Sequence, residues 1–154
     1  MSYWLLKSEP GTFSIDDLAA SPKKTTAWDG VRNYQARNFI RDGMKKGDLA
    51  FFYHSSCPVP GIVGIVEIAS AAYPDETAFD PEEKYYDPKS ERDNPRWFAV
   101  DVKLKRKLKK QIDLGKLKQY AGDRLSDMKL LQRGNRLSVM PVSKKHWQFI
   151  NSLE

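Results

Sequence analysis

The chain has 154 residues, of which 40% are hydrophobic and 30% charged, which is enough apolar content to bury a core and too much for a disordered chain. No segment approaches the roughly 20 apolar residues that a membrane-spanning helix needs, and the first residues lack the features of a signal peptide. Cys57 is the only cysteine, which excludes an intrachain disulfide. We therefore expect one cytoplasmic domain over residues 1–154, with no membrane partner.

Basic and acidic residues are segregated along a chain whose net charge is +6. Residues 103–118 contain eight Lys or Arg and one acid, Asp113, whereas residues 75–93 contain eight acids and three bases. A basic excess suits a polyanionic partner such as nucleic acid. The basic run is either a solvated face or a contact for a phosphate backbone, and the sequence leaves both alternatives open.

The first third of the chain contains one predicted strand and two predicted helices. The strand covers Tyr3 to Lys7. A helix starts at Ser14, with Asp17 three residues later as its capping partner. A longer helix is predicted from Asn33 to Asp42, and Gly43 ends it. The residues predicted to share the buried face of this second helix are Tyr34, Phe39 and Ile40.

The rest of the chain is dominated by predicted strands, over residues 48–53, 61–71, 97–104 and 137–140, before a last helix that Ser143 caps. Residues 73–96 form an acidic loop with a proline every seventh residue, a spacing that a helix would not tolerate. Few helices cross between consecutive strands. The predicted fold class is therefore α+β, with a curved mixed sheet or open barrel of about five to six strands flanked by short helices.

Unusual combinations of aromatic, polar and basic residues concentrate in four segments, namely residues 4–10, 28–38, 51–56 and 136–143. The second segment is the most informative. Its Asp29-Gly30 step predicts a turn that leads into a helix start, Trp28 offers a flat apolar face, and Arg32 and Arg37 offer positive charge. An aromatic face, backbone N–H groups and arginine are the parts that a site for a nucleotide base needs.

These four segments resemble the EVE domain family, and so do the steps Tyr86-Asp87-Pro88-Lys89 and Pro95-Arg96-Trp97. The resemblance implies a PUA-like fold, similar to the YTH and SRA domains that hold a modified base in a pocket. It also implies a nucleic-acid-binding module that reads a modified base. Modified cytosine such as 5-methylcytosine in DNA is favoured, RNA is the alternative, and small bacterial proteins are among the members.

The resemblance also implies where a base would bind. It places Lys7, Ser8 and Glu9 at the edge of the pocket, where a glutamate can accept a hydrogen bond from the exocyclic amine of cytosine. Trp28 occupies the place of a cage tryptophan in YTH relatives. The remaining residues expected to line or close the pocket are Val31, Arg32, Asn33, His54, Ser55, Ser138, Val139 and Met140.

Bound phosphates are expected to contact five basic residues, which are Arg32, Arg37, Lys105, Arg106 and Lys107. No His, Cys and Asp cluster has the spacing of a metal site, and we expect a monomer without a metal or cofactor. An enzyme that acts on RNA or a nucleotide, as ASCH relatives do, is the alternative function, with Glu9 or His54 as its acid–base group. A protein-binding role for the acidic loop is a third reading.

Core packing competes with ligand contact for each tryptophan. Trp97 and Trp147 are predicted to lie in the core, and Trp147 belongs to the apolar stripe of the last helix. For Trp4, the sequence does not decide between core packing and ligand contact. Trp28 precedes a turn and follows polar residues, and we therefore expect it to contact the ligand.

Overall fold

The computed structural model describes all residues from Met1 to Glu154 and contains seven strands and four α-helices. The strands are β1 (Tyr3–Ser8), β2 (Thr25–Trp28), β3 (Leu49–His54), β4 (Gly61–Ile68), β5 (Tyr73–Pro74), β6 (Phe98–Asp113) and β7 (Val139–Val142). The helices are α1 (Ile15–Ala20), α2 (Tyr34–Asn38), α3 (Leu114–Lys118) and α4 (Lys144–Asn151). Short 3-10 turns cover Pro22–Lys24, Glu76–Phe79 and Lys129–Leu131, and a π turn covers Phe39–Gly43.

The strands form one open mixed sheet in the order β2-β6-β4-β3-β1-β7, and β5 adds to β6. Only β1 and β3 run parallel, and all the other pairs are antiparallel. The register shifts within the β3–β4 and β4–β6 pairs, and such irregularities bend a sheet. The predicted α+β class and mixed sheet are confirmed, with seven strands instead of five to six.

Both faces of the sheet are buried. Consecutive side chains of a strand point to opposite sides of the sheet, so neighbouring residues belong to different cores. Leu6, Phe52 and Val66 belong to the core under α1 and α2. Their chain neighbours Leu5, Phe51 and Ile65 belong to a second core, which α4 covers. The Trp147 ring of α4 stacks on Phe51 with a centroid distance of 4.0 Å. Burial on both faces explains why the central strands are apolar throughout.

The strands β2 and β5 were not predicted, β4 ends at Ile68 instead of residue 71, and β6 and β7 extend past their predicted ends. β2 is missing from the prediction, because its sequence Thr25-Thr26-Ala27-Trp28 is short and becomes a strand only by pairing with β6. β6 continues to Asp113 and takes up most of the basic run, instead of ending at Leu104. β7 continues through Pro141 to Val142, whereas the predicted strand covered residues 137–140. β7 is an edge strand, where a missing N–H is tolerated.

The predicted helix from Asn33 to Asp42 is divided in the structure. The Asn33 side chain caps α2 by accepting a hydrogen bond from the Ala36 N–H at 3.0 Å. The chain then widens into the π turn that ends at Gly43, where the Met44 N–H donates to the Phe39 carbonyl oxygen. Ile40 is buried as predicted, but Tyr34 is 53% exposed and stacks on Trp97 at the surface.

The acidic segment of residues 73–96 packs on the body of the protein. Tyr73 donates a hydrogen bond to Asp101 at 2.6 Å, and the Trp97 indole donates to Asp87 at 2.7 Å. Trp97 and Trp147 are buried as predicted. Trp4, for which the sequence decided neither way, is also buried, and its indole donates to the buried Asp48 at 3.1 Å. None of the helices has the length and apolar character that crossing a membrane requires.

Gly64 of β4 provides a test of this packing, since a Cβ atom at this position would overlap the Ile15 side chain and lie 3.0 Å from the Arg106 carbonyl oxygen. We expect Gly64→Ala to lower the free energy of unfolding by about 1–3 kcal/mol in urea titrations. Adding Ile15→Val removes the overlapping methyl group and is expected to restore part of the loss. Gly11→Ala is the matched control, because a Cβ atom there meets nothing within 4 Å. Equal effects at both glycines would contradict this account.

Candidate functional site

A cavity of about 800 Å³ opens between the two edges of the sheet. Strand β2 lines it from one side, and the end of β1, with Ser138 just before β7, lines it from the other. Eight predicted base-binding residues line this cavity, which are Lys7, Ser8, Glu9, Trp28, Val31, Arg32, Asn33 and Ser138. The remaining lining residues are Thr12, Phe13, Thr26, Ala27, Asp29, Gly30, Lys84 and Tyr85.

Trp28 belongs both to the cavity wall and to the hydrophobic core. Only 8% of the residue is exposed, and its ring meets the edge of Phe52 at a centroid distance of 5.5 Å. The core therefore holds the ring in one orientation while part of it borders the cavity. Trp28 thus packs in the core and also borders the cavity, so a ligand there would meet a rigid surface, and its contact with a ligand stays a prediction.

The end of β1 supplies polar groups in a fixed arrangement. The Ser8 hydroxyl donates to the Phe13 carbonyl oxygen at 2.5 Å, and the Glu9 carbonyl accepts the N–H groups of Thr12 and Phe13, both at 2.9 Å. These bonds close a tight turn and leave the Glu9 carboxylate free of hydrogen bonds within the chain. Burial lowers the pKa of the Lys7 ammonium group. The turn therefore presents a carboxylate and a partly desolvated amine at one edge of the cavity.

Asp29 is a cavity residue that the sequence prediction treated only as part of a turn. Burial raises the pKa of its carboxyl group, and the negative charge of Asp75 raises it further. The next residue, Gly30, has a φ of +75°, and a Cβ atom there would lie 2.7 Å from the Tyr85 ring. Glycine therefore allows the ring of Tyr85 to close over the loop.

Arg32 holds the cavity loop to the acidic segment. Its guanidinium group bonds Asp75 at 3.0 Å, Thr77 at 3.2 Å and the Tyr85 carbonyl oxygen at 2.7 and 3.0 Å. The Asp75 carboxylate is completely buried, and it also accepts the Gly30 N–H at 2.8 Å. Although burial alone would raise the pKa of Asp75, the hydrogen bonds from Thr77, Gly30 and Arg32 outweigh it and lower this pKa. Arg32 thus has little capacity left for a phosphate.

Four predicted pocket residues lie away from the cavity lining. Val139 and Met140 are completely buried, in the two cores on opposite sides of the sheet. His54 accepts the Ile15 N–H at 3.1 Å through Nε2, and it thereby holds the start of α1. The Ser55 N–H donates to the Ser8 carbonyl oxygen at 3.0 Å and extends the pairing of β1 with β3. These four residues therefore do not line the cavity, and they support the elements that form its wall.

The other basic residues predicted to bind phosphate are already engaged. Arg37 donates to the Arg96 carbonyl oxygen at 2.9 Å and lies over the Tyr34 ring. The three residues of β6 that were predicted to bind phosphate each pair with a carboxylate, since Lys105 bonds Glu67 at 3.3 Å, Arg106 bonds Glu154 at 2.7 Å and Lys107 bonds Asp16. A phosphate would have to compete with these partners. Their predicted role stays a prediction, and these contacts argue against it.

The cavity contains candidates for hydrogen bonding, but no group of three or more His, Cys, Asp or Glu residues in the chain could hold a metal ion.

Several residues that line the cavity were not among the predicted site residues. The sequence offered a signal for one of them. Tyr85 is one of several aromatic residues in the acidic segment 73–96, a composition that favours packing on the body, and the structure places it over Gly30 and beside Arg32. Phe13 and Thr12 gave no signal, because only the turn after Glu9 brings them to the cavity.

We expect Arg32→Lys to destabilise the protein although it keeps the charge. A lysine cannot donate to Asp75, Thr77 and Tyr85 at once in the planar arrangement of a guanidinium group. The expected loss in the free energy of unfolding is about 1–3 kcal/mol, measured by urea titration. Arg41→Lys is the matched control, because Arg41 pairs with Asp42 at the surface, and its expected effect is within about 0.5 kcal/mol. Equal effects would show that Arg32 is not the structural anchor.

The hydrogen bond from Ile15 to His54 predicts a pH dependence of stability. Burial lowers the pKa of His54, which the charge of Asp16 only partly opposes, and the unfolded value is about 6.5. As the pH falls below that value, the unfolded chain binds a proton before the folded chain does, so stability decreases. We expect the stability advantage of the wild type over His54→Asn to shrink between pH 7.5 and pH 5. An advantage that is independent of pH would contradict a His54 ring whose unprotonated Nε2 accepts the Ile15 N–H in the folded protein.

The comparisons with known proteins agree along the whole chain. Thymocyte nuclear protein 1 from Homo sapiens is 49% identical to it over 99% of this chain and 74% of the human protein. A crystal structure of a protein from Pseudomonas putida is 53% identical, with a TM-score of 0.93 and 99% of both chains covered. The crystal structure of human THYN1 in complex with DNA that contains 5-methylcytosine is 49% identical, with a TM-score of 0.94, and the match covers 99% of this chain and 97% of that one. The family model of the EVE domain matches residues 2–153, and the chain therefore belongs to the EVE domain family.

Proposed function

We propose that this chain is a nucleic-acid-binding module that reads a modified base, with 5-methylcytosine in DNA favoured over RNA. The observation that carries the proposal is the cavity between the sheet edges, which combines the wall of Trp28 with free polar groups. The fold is shared with human THYN1, whose structure was determined with DNA that contains 5-methylcytosine. The protein relative and the cavity thus support the same class of ligand.

The size and the walls of the cavity suit a nucleotide base. Its volume of about 800 Å³ lies in the range of sites for small molecules and leaves room beside one base. Phe13, Trp28, Val31 and Tyr85 supply apolar surface, which can contact the faces of a base and a methyl group. A methyl group at the C5 position of cytosine would gain from leaving water for such a surface.

The polar groups of the cavity match the hydrogen-bonding edge of cytosine. Its exocyclic amine is a donor, for which the carboxylates of Glu9 and Asp29 are the acceptors in reach of the cavity. Asn33 uses its side-chain oxygen to cap α2 and keeps its amide hydrogens as donors for the acceptor side of the base. The Ser8 hydroxyl already donates to Phe13, so it can only accept.

The energetics require more than stacking. Extruding a base from a duplex costs a few kcal/mol, and stacking on one aromatic ring returns about 1–3 kcal/mol. Hydrogen bonds to the base edge and neutralisation of phosphates supply the remainder in this proposal. We therefore expect micromolar or weaker binding that decreases with salt.

We further propose that the chain acts by binding alone, without turnover. Two groups that could start a reaction are committed elsewhere, since His54 accepts from Ile15 and the Ser8 hydroxyl donates to Phe13. Neither His146 nor Cys57 lines the cavity. Glu9 is the acid–base candidate of the competing enzyme hypothesis. Product formation from RNA or nucleosides that Glu9→Gln abolishes would establish that hypothesis instead.

The binding proposal is tested with duplexes that carry cytosine, 5-methylcytosine or 5-hydroxymethylcytosine at one position, and with the matching RNA. Trp28→Phe is the better variant, because Trp28→Ala would also cost about 3–5 kcal/mol of stability. We expect preference for the methylated DNA and a loss of about tenfold in its affinity with Trp28→Phe, which corresponds to about 1.4 kcal/mol. Trp147→Phe is the matched control, since Trp147 is equally buried on the other face of the sheet. Equal affinity for all the oligonucleotides would reject the proposal.

A further inference from the structure

A second, smaller cavity of about 320 Å³ lies next to the first one. Asn33 lines both cavities, and the chain passes from the second to the first between Leu137 and Ser138. The wall of the second cavity is almost entirely polar, with Leu137 as its only apolar residue. Most of this wall is the segment of residues 129–137, which we call the basic loop.

The basic loop differs in charge from the other basic parts of the chain. It carries Lys129, Arg133 and Arg136 and contains no Asp or Glu. None of these three cations has a carboxylate within 4.0 Å, whereas Arg32 and the β6 residues Lys105, Arg106 and Lys107 all do. No ion pair therefore neutralises these three cations, and all three line the wall of the smaller cavity.

The basic loop is held in place by its own hydrogen bonds. The Asn135 side chain donates to the Lys129 carbonyl oxygen and accepts the Leu137 N–H at 2.9 Å. Gly134 has a φ of +79°, a conformation that other residues rarely adopt, and the chain reverses there between Arg133 and Arg136. Arg133 and Arg136 thus flank a defined turn, and the Asn135 amide ties this turn to Lys129 and to the Met140 sulfur of β7.

We propose that the basic loop binds the phosphate backbone next to the base that the larger cavity holds. This inference rests on the proposed function and assigns the backbone contacts to Lys129, Arg133 and Arg136. Two of the three are arginines, whose planar group binds phosphate oxygens in pairs. The shared wall at Asn33 joins the two sites, so one strand can place its base in one cavity and its phosphates in the other. Such contacts position a nucleic acid without reading its sequence.

The experiment compares two triple variants with the wild type. The first is Lys129→Gln/Arg133→Gln/Arg136→Gln. The control is Lys46→Gln/Lys144→Gln/Lys145→Gln, which removes the same charge from exposed residues beyond the opposite end of β1 and β7. The affinity for methylated and unmodified duplexes is measured from 50 to 200 mM NaCl, and urea titration verifies that both variants fold. The readout is the slope of the logarithm of the affinity against the logarithm of the salt concentration.

We expect the first variant to reduce this slope by about 2 to 3, close to 0.9 for each lost phosphate contact, and to weaken both duplexes by the same factor. The control is expected to keep the slope of the wild type. Equal slopes for the first variant and the wild type would overturn the inference. Equal affinity of the wild type for the two duplexes would reject base reading but leave the slope test valid, and binding to neither duplex would reject both proposals.

Discussion

The buried carboxylate of Asp75 is the contact on which the candidate site depends. It accepts hydrogen bonds from the Gly30 N–H, from Thr77 and from Arg32, and it thereby joins the loop after β2 to the acidic segment. A charge that is completely buried would be costly without these partners. Because the network satisfies it, the loop keeps one conformation and Tyr85 stays over Gly30. The wall of the larger cavity is therefore formed before any ligand arrives.

The sheet provides the second constraint. Its edge strands, β2 and β7, do not pair, and the cavity lies between β2 on one side and the end of β1, with Ser138 just before β7, on the other. Trp28 stands at one of these edges and is held by the core through Phe52. A rigid aromatic wall loses little conformational freedom when a flat ligand binds. The same ring thus stabilises the fold and shapes the site, which is why a variant that removes it tests both at once.

Local patterns in the sequence were enough for the capped helices, the central strands and the segments that surround the cavity. They failed where a long-range partner decides the outcome. Arg32 reads as free in the sequence, because Asp75 lies 43 residues away along the chain. Ser138 lines the cavity and Val139 is buried, a difference of one residue in strand register that a short pattern does not resolve. The phosphate residues were assigned to the densest basic run, whose cations β6 brings next to carboxylates of distant segments.

The proposed function requires that a modified base enter the cavity against Trp28. The chain has four tryptophans, and their indole N–H signals in NMR spectra can be followed separately during titration with DNA. We expect the Trp28 signal to shift with a duplex that contains 5-methylcytosine and much less with the unmodified duplex, while the Trp147 signal stays in place. Binding of the methylated duplex that leaves the Trp28 signal unchanged would contradict the proposed function.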